Sequence, residues 1–503
     1  MDFYDIADGY FRSLEYESPY VSMYPEFKEF FKDMIFGNKR CLVYGDYDPD
    51  GLFSVLILKE AFHTLGFNNF EIVPYTHRTH SLDPEATKLA LYGNYEYMII
   101  CDTGTSNFDD IKAIASEGVR VIVIDHHETT YEPGELGDNV VYINSTVENR
   151  FRSEVEEKLV VSAAALVYIL VDKFFTDCRM DTTVISAYAL SSMYSDSVDM
   201  SSRFARGLYT RATSLETEDL PVEIYGYLNQ YKRFTRRFIE FDMVPKLNAA
   251  FRSEDFSDMN QVYLKHNRAE VGECTVLAET LAQMHRRTVE MVKYASSIVY
   301  VEELENFVIG NLDSVNQELD LEANKLYNFT GLVANKLAER YKKAAIVLCT
   351  AVNGIKGSFR DHLGRNYLNR FQTICEAGGH GPAFGFWIGL FDVSDFIDRV
   401  RIIDSNFSIE KAPNEPILIP SPNPPDDMCL LDIAKYNEFA GQVKDVVLLQ
   451  LVRRADMPEK IDKYDQYLYR WGGKFIVSPK RIPIGSEILV KPTLTKSVKL
   501  YTV

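Results

Sequence analysis

Between Arg40 and Asn144 the chain repeats one pattern, a short apolar run and then a stretch of helical periodicity. The runs are Cys41–Tyr44, Phe70–Pro74, Tyr97–Cys101, Arg120–Ile124 and Val140–Ile143, with helix-period residues such as Leu52, Val55, Leu56, Leu58 and Phe62 between the earlier ones. Strands that are apolar almost throughout need cover on both faces, which predicts a parallel sheet flanked by helices. Ligands of such sheets gather just beyond the carboxyl ends of the strands. The residues that follow each run therefore bear most directly on function.

Those residues are carboxylates and imidazoles. The Cys41 run leads into Asp46-Tyr47-Asp48-Pro49-Asp50-Gly51, the Tyr97 run into Asp102-Thr103-Gly104, and the Arg120 run into Asp125-His126-His127. Each has an ordinary explanation by itself: Pro, Asp and Gly make turns, an Asp at a strand end caps the next helix, and a His pair can decorate a loop. Asp46-x-Asp48-x-Asp50-Gly51 also opens a calcium-loop pattern, but the position of its closing glutamate is Ile57 and a strand precedes it. Like charges crowded at one strand end repel unless a cation sits among them. Oxygen and imidazole ligands at the ends of successive strands point to a metal site, and hard oxygen donors with a single imidazole favour Mn²⁺ or Mg²⁺ over Zn²⁺.

Beyond Asn144 the pattern turns helical over Leu159–Phe175 and Thr182–Tyr194, closing on Ser195-Asp196-Ser197-Val198-Asp199. The basic cluster Lys232-Arg233-Phe234-Thr235-Arg236-Arg237 reads as a solvated helix face in preference to a phosphate contact. A long helix is expected over Thr275–Glu305. A second α/β unit follows from Phe307, with Thr330–Lys343 helical, Ala344–Cys349 a strand, then Lys356-Gly357-Ser358-Phe359-Arg360 and Gly378-Gly379-His380-Gly381. Residues 412–425 are proline-rich and read as a linker. Strand-like runs follow at Lys474–Val477, Glu487–Lys491 and Ser497–Thr502. The expected architecture is α/β: a parallel-sheet domain with a helical lead-in (1–270), a connecting helix (271–306), a smaller α/β domain (307–404), and a linker with a small β-containing module (405–503).

A chain of 503 residues can hold several cores. Its net charge of −19 argues against a protein that coats nucleic acid by neutralising phosphates. It leaves a nuclease open, because clustered carboxylates can hold divalent cations. No apolar stretch reaches membrane-spanning length, and Met1-Asp2-Phe3-Tyr4-Asp5 is unlike a signal peptide. Seven scattered cysteines without CxxC spacing suit a reducing, cytoplasmic setting.

In order and spacing, Asp46-Tyr47-Asp48-Pro49-Asp50-Gly51, Asp102-Thr103-Gly104, Asp125-His126-His127 and Asp196 resemble the four motifs of the DHH phosphoesterases. Gly357-Ser358-Phe359-Arg360 and Gly378-Gly379-His380 look like the second, DHHA1, domain of that superfamily. Within it the likeness is to the RecJ-like single-strand-specific exonucleases. It rests on the DYDxDG form of the first motif and on Pro245-Lys246-Leu247-Asn248-Ala249-Ala250-Phe251-Arg252, which is similar to the RecJ asparagine–alanine–arginine loop. Gly331–Tyr341 followed by an apolar strand adds to it. Phe251 stands where RecJ proteins usually carry glycine, and Arg78-Thr79-His80-Ser81 replaces a glycine-and-tyrosine motif; both departures suit a divergent, phage-type member.

The resemblance implies a metal-dependent phosphodiesterase, an exonuclease acting 5′ to 3′ on single-stranded nucleic acid, DNA ahead of RNA, with no membrane partner and a monomer as the default. It implies two divalent cations, Mn²⁺ or Mg²⁺, with Asp102 bridging them, Asp46 and Asp48 completing one site, and Asp50, His126 and Asp196 the other. Tyr44 stands where related pyrophosphatases carry a histidine ligand, and Asp46 is expected to compensate. His127 is the expected stabiliser or proton donor at the scissile phosphate, and Asp125 the group that orients an imidazole. Phosphate contacts are expected from Arg78, Asn248, Arg252, Ser358, Arg360, Gly378, Gly379 and His380, in a cleft between the two α/β domains. The alternatives are a nanoRNase or cyclic-dinucleotide phosphodiesterase of the same superfamily, which the acidic balance suits, and a catalytically silent replication-associated scaffold. The complete ligand set argues against the scaffold.

Overall fold

The computed structural model describes residues 16–76, 81–129, 136–153, 157–200, 202–228, 233–253, 255–313, 315, 326–351, 354–361, 363, 365–380, 382–405, 417–421, 430, 433–434, 437, 447–451, 460–461, 466–471, 474–478, 481–484, 488–494 and 498–502. The chain divides into two compact units, Met1–Leu281 with Asn414–Val503, and Ala282–Pro413.

The first unit is built on a parallel sheet of β1 (Cys41–Gly45), β2 (Phe70–Ile72), β3 (Tyr97–Cys101), β4 (Arg120–Asp125) and β5 (Val140–Asn144), in the order β2-β1-β3-β4-β5. Every neighbouring pair runs parallel. β1, β3 and β5 are buried at every residue, as strands covered on both faces must be. The chain moves outward from β1 to β2 and then returns past β1 to β3. That reversal opens a crevice beyond the carboxyl ends of β1 and β3.

Helix α1 (Tyr24–Phe36) precedes the sheet; α2 (Pro49–Thr64), α3 (Pro84–Tyr92), α4 (Phe108–Ser116) and α5 (Ser145–Phe151) follow its strands. α6 (Ala163–Asp177) and α7 (Ser186–Ser195) are buried almost from end to end, and α2 packs against both. The helices expected from Leu159 and Thr182 begin later, at Ala163 and Ser186. Ser162 caps α6 by accepting from the Ala165 N–H at 3.3 Å. Asp181 accepts from the Thr183 N–H at 3.1 Å, which holds the segment before α7 in a turn. Further on are α8 (Arg203–Thr213) and α9 (Val244–Ser253).

The long helix α10 runs Val271–Ile298, starting in the first unit and ending in the second. Its expected extent, Thr275–Glu305, is corrected at both ends. Val299-Tyr300-Val301 is β-branched and aromatic, so the chain leaves the helix there. Tyr300–Glu303 forms β6 instead, antiparallel to β7 (Phe307–Asn311). With β8 (Ala344–Ala351), β9 (Gly354–Arg360), β10 (Glu376–His380) and β11 (Ala383–Ile388) these make a sheet in the order β10-β11-β9-β8-β7-β6. Alternate residues of β7 and β8 serve two cores. Val308, Ala345 and Val347 pack with α10 and with α11 (Thr330–Tyr341), through Val292, Ala295, Val333 and Leu337. Phe307, Ile309, Ile346 and Leu348 pack on the other face with Phe359, Phe371 and Phe384, and with Phe396 and Val400 of α12 (Val393–Ser405).

The C-terminal strands β12 (Ile417–Ser421), β13 (Val447–Leu451), β14 (Lys460–Ile461), β15 (Tyr467–Trp471), β16 (Lys474–Ser478), β17 (Leu489–Leu494) and β18 (Val498–Thr502) form one mixed sheet, in the order β12-β13-β17-β18-β16-β15-β14. β12 falls inside the stretch expected to be linker. Its apolar Ile417-Leu418-Ile419 pairs with β13, and Pro420 is tolerated because β12 is an edge strand. Among the described residues no helix is long and apolar enough to cross a membrane.

Candidate metal centre

The end of β1 is shaped by backbone contact as much as by charge. Asp46 continues the ladder past the strand, its N–H donating to the Cys101 carbonyl at 3.2 Å. Asp48 is extended and caps α2, accepting from the N–H groups of Asp50 (2.8 Å) and Gly51 (3.1 Å). A Cβ on Gly51 would lie 2.3 Å from the Asp46 carbonyl oxygen and 2.4 Å from its nitrogen, so only glycine lets the first turn of α2 sit on the strand end. The Tyr47 hydroxyl donates to Asp83 at 2.8 Å, and Asp83 in turn caps α3 through the Glu85 N–H. The Tyr44 hydroxyl donates to the Ser81 carbonyl at 3.0 Å. Both rings tie the end of β1 to the start of α3.

Asp50 is buried at the amino end of α6. Its carboxylate accepts from the N–H groups of Ala163 (2.9 Å) and Ala164 (2.8 Å) and from the Ser192 hydroxyl (2.5 Å), which also meets Ser162 at 2.5 Å. A helix amino terminus is a fitting place for an anion. Burial, with the charges of Asp196 and Asp48, nevertheless pushes its pKa up to about 8.

Asp102 is the next residue past β3, and its N–H donates to the Ile124 carbonyl at 2.8 Å. Its backbone is left-handed (φ 62), a conformation Asp tolerates better than most residues. Gly104 follows at φ 104, with a Cβ position 3.0 Å from Val123. Burial raises the Asp102 pKa well above the carboxylate range, and the charges of Asp50, Asp48, Asp46 and Asp196 add to it. Among the described residues its buried Oδ1 takes no hydrogen bond, although the His126 ring approaches it.

Asp125, fully buried at the end of β4, organises the two histidines. Its Oδ1 accepts from the His126 N–H (2.7 Å) and the His127 N–H (3.2 Å), and lies 2.7 Å from Nδ1 of the His127 ring. Its Oδ2 accepts from the Thr105 N–H at 3.1 Å and from the Thr105 hydroxyl. Burial works to raise the Asp125 pKa. The bond to His127, the charges of both histidines and the Thr105 hydroxyl outweigh it and hold the group well below the usual range. For His127, burial acts downward but the bond to Asp125 and the charges of Asp125, Asp196 and Asp46 win, moving its pKa up to about 10. The His127 side chain is half-exposed, whereas His126 is buried.

The Asp125-His126-His127 turn is braced by β5 and the residues after it. The Asn144 amide donates to the His127 carbonyl (3.0 Å), the Thr105 hydroxyl (3.2 Å) and the Tyr142 hydroxyl (3.1 Å), while its Oδ1 caps α5. The Thr146 hydroxyl donates to the His126 carbonyl at 2.9 Å. Thr105, Asn144, Thr146, Ser162 and Ser192 were not singled out in the sequence. Ser162, a capping residue before a run of alanines, and Asn144, a capping residue at a strand end, carried local signals.

These strand ends converge. His126 Nε2 lies 3.3 Å from Asp102 Oδ1, 3.6 Å from Asp196 Oδ2 and 3.7 Å from Asp50 Oδ2. Ligand atoms of Asp46, Asp48 and Asp102 fall within 4.8 Å of one another, as do those of Asp50, His126 and Asp196, and those of Asp102, His126 and His127. Asp102 and His126 thus link the groups. Asp196 is the residue just past α7, followed by left-handed Ser197 (φ 55).

A family model described as the DHH family, N-terminal domain, matches residues 40–195. Across a longer stretch the likeness is to RecJ proteins. The single-stranded-DNA-specific exonuclease RecJ of Bacillus subtilis is 25% identical over 393 residues, covering 76% of this chain and 47% of that protein. RecJ of Salmonella typhimurium is 25% identical over 379 residues, covering 69% of this chain and 63% of that protein. The chain therefore spans about half to under two thirds of the length of these relatives. Among solved structures, RecJ from Thermus thermophilus in complex with Mn²⁺ has a TM-score of 0.74 at 16% identity, covering 97% of this chain and 72% of that one. Exonuclease RecJ bound to manganese has a TM-score of 0.60 at 17% identity, covering 78% and 97%. The likeness in fold thus extends well beyond the residues that the family model matches.

Beyond residues 40–195, Asn248 and Arg252 sit one turn apart on α9 and are half-buried. The segment expected as a loop is helical, and it continues a π-helical stretch, Ile239–Met243. Apolar Val244, Leu247, Ala250 and Phe251 recur at helical spacing and are buried, which fixes this conformation. Ser358 is buried, and its hydroxyl meets that of Thr330 at 2.8 Å. Arg360 donates to the carbonyls of Phe359 (2.7 Å) and Phe384 (3.3 Å), and burial brings its pKa down to about 10. Gly378 and Gly379 are exposed and belong to the edge strand β10, with Gly379 at φ 132. His380 ends that strand. Arg78 lies outside the described residues.

Proposed function

We propose that this chain is a divalent-cation-dependent phosphodiesterase that degrades single-stranded DNA from the 5′ end. The observation that carries the reading is the convergence of carboxylates from β1, β3 and α7 on the His126 imidazole, with Asp102 and His126 common to more than one group. The donor set fits Mn²⁺ or Mg²⁺: hard oxygens, one buried imidazole, and a buried Asp102 oxygen that takes no hydrogen bond among the described residues. Cations bound there would supply a nucleophilic hydroxide at neutral pH and offset the charge of the phosphate under attack.

The chain's own residues divide the remaining work. Asp46, Asp48 and Asp102 would hold one cation, and Asp50, His126 and Asp196 a second. Asp125 fixes the His127 ring through Nδ1, leaving Nε2 to donate to the phosphate. The burial of Asp125 and its anchoring by Thr105 keep that orientation without rearrangement during the reaction. Asn248 and Arg252, and in the second unit Arg360 with the backbone of Gly378 and Gly379, are proposed contacts to further phosphates. Arg360 suits that role because it donates to neutral carbonyls, which leave its charge uncompensated. The names of the RecJ relatives support single-stranded DNA as substrate.

The net charge of −19 favours one other reading, a phosphodiesterase for dinucleotides or other short substrates. Hydrolysis of a 5′-labelled single-stranded oligonucleotide and of a dinucleotide, each in Mn²⁺ with and without chelator, separates the two. The expected result is processive loss from the 5′ end of the oligonucleotide, abolished by chelator and by Asp102→Ala. Turnover of the dinucleotide alone overturns the polymer reading, and no turnover of either substrate overturns the activity.

A further inference from the structure

We propose that Ser192 is a positioning residue of the second cation site, its hydroxyl locking the Asp50 carboxylate so that Oδ2 is the oxygen left for the cation. The inference rests on the two-cation reading above and names what fixes one of its ligands. Helix α7 carries two adjacent serines, Ser191 and Ser192, both fully buried. Ser191 does what a serine inside a helix ordinarily does, donating to the carbonyl one turn back, that of Ala187, at 2.7 Å. Ser192 reaches out of its helix instead and donates to Asp50 Oδ1 at 2.5 Å, a partner 142 residues away in sequence. Its carbonyl accepts from the Asp196 N–H at 3.0 Å and from the Ser195 hydroxyl at 2.9 Å. One residue thus touches two of the three groups proposed for that cation, Asp50 through its side chain and Asp196 through its backbone.

The amino end of α6 treats the two oxygens of Asp50 alike, the Ala164 N–H donating to Oδ1 at 2.8 Å and the Ala163 N–H to Oδ2 at 2.9 Å. Ser192 makes them different. With two donors Oδ1 has its acceptor positions filled. Among the described residues Oδ2 has one donor, and it lies 3.7 Å from His126 Nε2. A neighbour commits the Ser192 hydrogen to Asp50. Ser162 Oγ accepts from the Ala165 N–H at 3.3 Å and meets Ser192 Oγ at 2.5 Å, so the Ser162 hydrogen fills an acceptor position on Ser192. Both serines are wholly buried and Asp50 is 2% exposed, so water offers none of them another partner. Without the Ser192 hydroxyl each oxygen keeps one backbone donor, and nothing distinguishes binding a cation through one oxygen from binding it through both. Partners behind a ligand orient it and tune its affinity in this way.

The test uses the full chain with Ser192→Ala and, as a control for volume, Ser192→Cys, whose thiol fills the space but is a weak donor. Calorimetric titration of the wild type with Mn²⁺ is expected to resolve two binding steps. Both variants should weaken one step by roughly tenfold to a hundredfold and leave the other as it is. The EPR spectrum of the protein with two equivalents of Mn²⁺ should move with it, from the spin-coupled signal of a filled pair towards that of isolated ions. Ser191→Ala, which removes only a bond within α7, should leave titration and spectrum unchanged. Wild-type affinity at both steps in both Ser192 variants overturns the role of Ser192 and leaves the two-cation reading intact. A loss in Ser192→Ala that Ser192→Cys restores also overturns it, because filled volume and not the hydrogen bond is then what matters. So does an equal loss at both steps together with a lower melting temperature in chelator, which shows a structural role. A wild-type chain that takes up fewer than two Mn²⁺ overturns both the proposal and the reading beneath it.

Discussion

Asp102→Asn separates a side chain kept for binding a cation from one kept for stability. Asparagine matches aspartate in shape and accepts the left-handed backbone at φ 62, so the chain path past β3 is expected to survive. What changes is one negative charge. In the cation-free protein that charge is buried among Asp50, Asp48, Asp46 and Asp196, all of which act to disfavour it. Two unit charges about 4 Å apart interact by about 4 kcal/mol at an effective dielectric of about 20, and the ligand atoms here fall within 4.8 Å of one another. Protonation already relieves part of that repulsion, so we expect a net stabilisation of about 1–2 kcal/mol without cations, a rise in Tm of a few degrees. The same charge is lost as an attraction when a cation binds. At about 4 kcal/mol this weakens Mn²⁺ binding roughly a thousandfold. Calorimetric titration with Mn²⁺ and thermal melts with and without it measure both effects. A variant that melts lower in chelator, or that binds Mn²⁺ as the wild type does, refutes the reasoning.

Asp125→Asn replaces the acceptor of both histidine N–H groups with a group that can accept on one side only. Activity is expected to fall by roughly 10²–10⁴-fold while Mn²⁺ affinity changes far less, which comparison of turnover with cation titration checks. Gly51→Ala drives a methyl group to 2.3 Å from the Asp46 backbone. It should cost about 1–3 kcal/mol of stability and cut Mn²⁺ affinity together with it, visible as a lower Tm with a smaller Mn²⁺-induced rise. A pH series tests the buried charges. Asp50, up to about 8, and His127, up to about 10, both bind protons more tightly folded than unfolded. Their contribution is full below the unfolded pKa values and is lost as pH rises through the folded ones. The chelated protein should therefore melt progressively lower between about pH 6 and 9, and saturating Mn²⁺ should remove the part of the decline that comes from Asp50.

The sequence by itself determined the parallel sheet and the chemistry at its edge. Runs such as Tyr97–Cys101 and Val140–Ile143 are apolar at consecutive residues, a pattern that leaves few arrangements besides a doubly covered strand. The carboxylates and histidines that follow such runs have to emerge at one end of the sheet. Asp46, Asp102 and Asp125 were legible for that local reason. Only the tertiary structure decided what those groups meet, because the partners are distant along the chain and carry no period. Asp50 gives no hint in sequence that it accepts from the first turn of α6, nor Asp125 that Thr105 and Asn144 stand behind it. The helical course of Asn248–Arg252, the inward turn of Ser358, the end of α10 at Ile298 and the strand at Ile417–Ser421 were likewise settled by packing, because an apolar side chain is stabilised by whichever surface it reaches and short-range propensity cannot say which that will be.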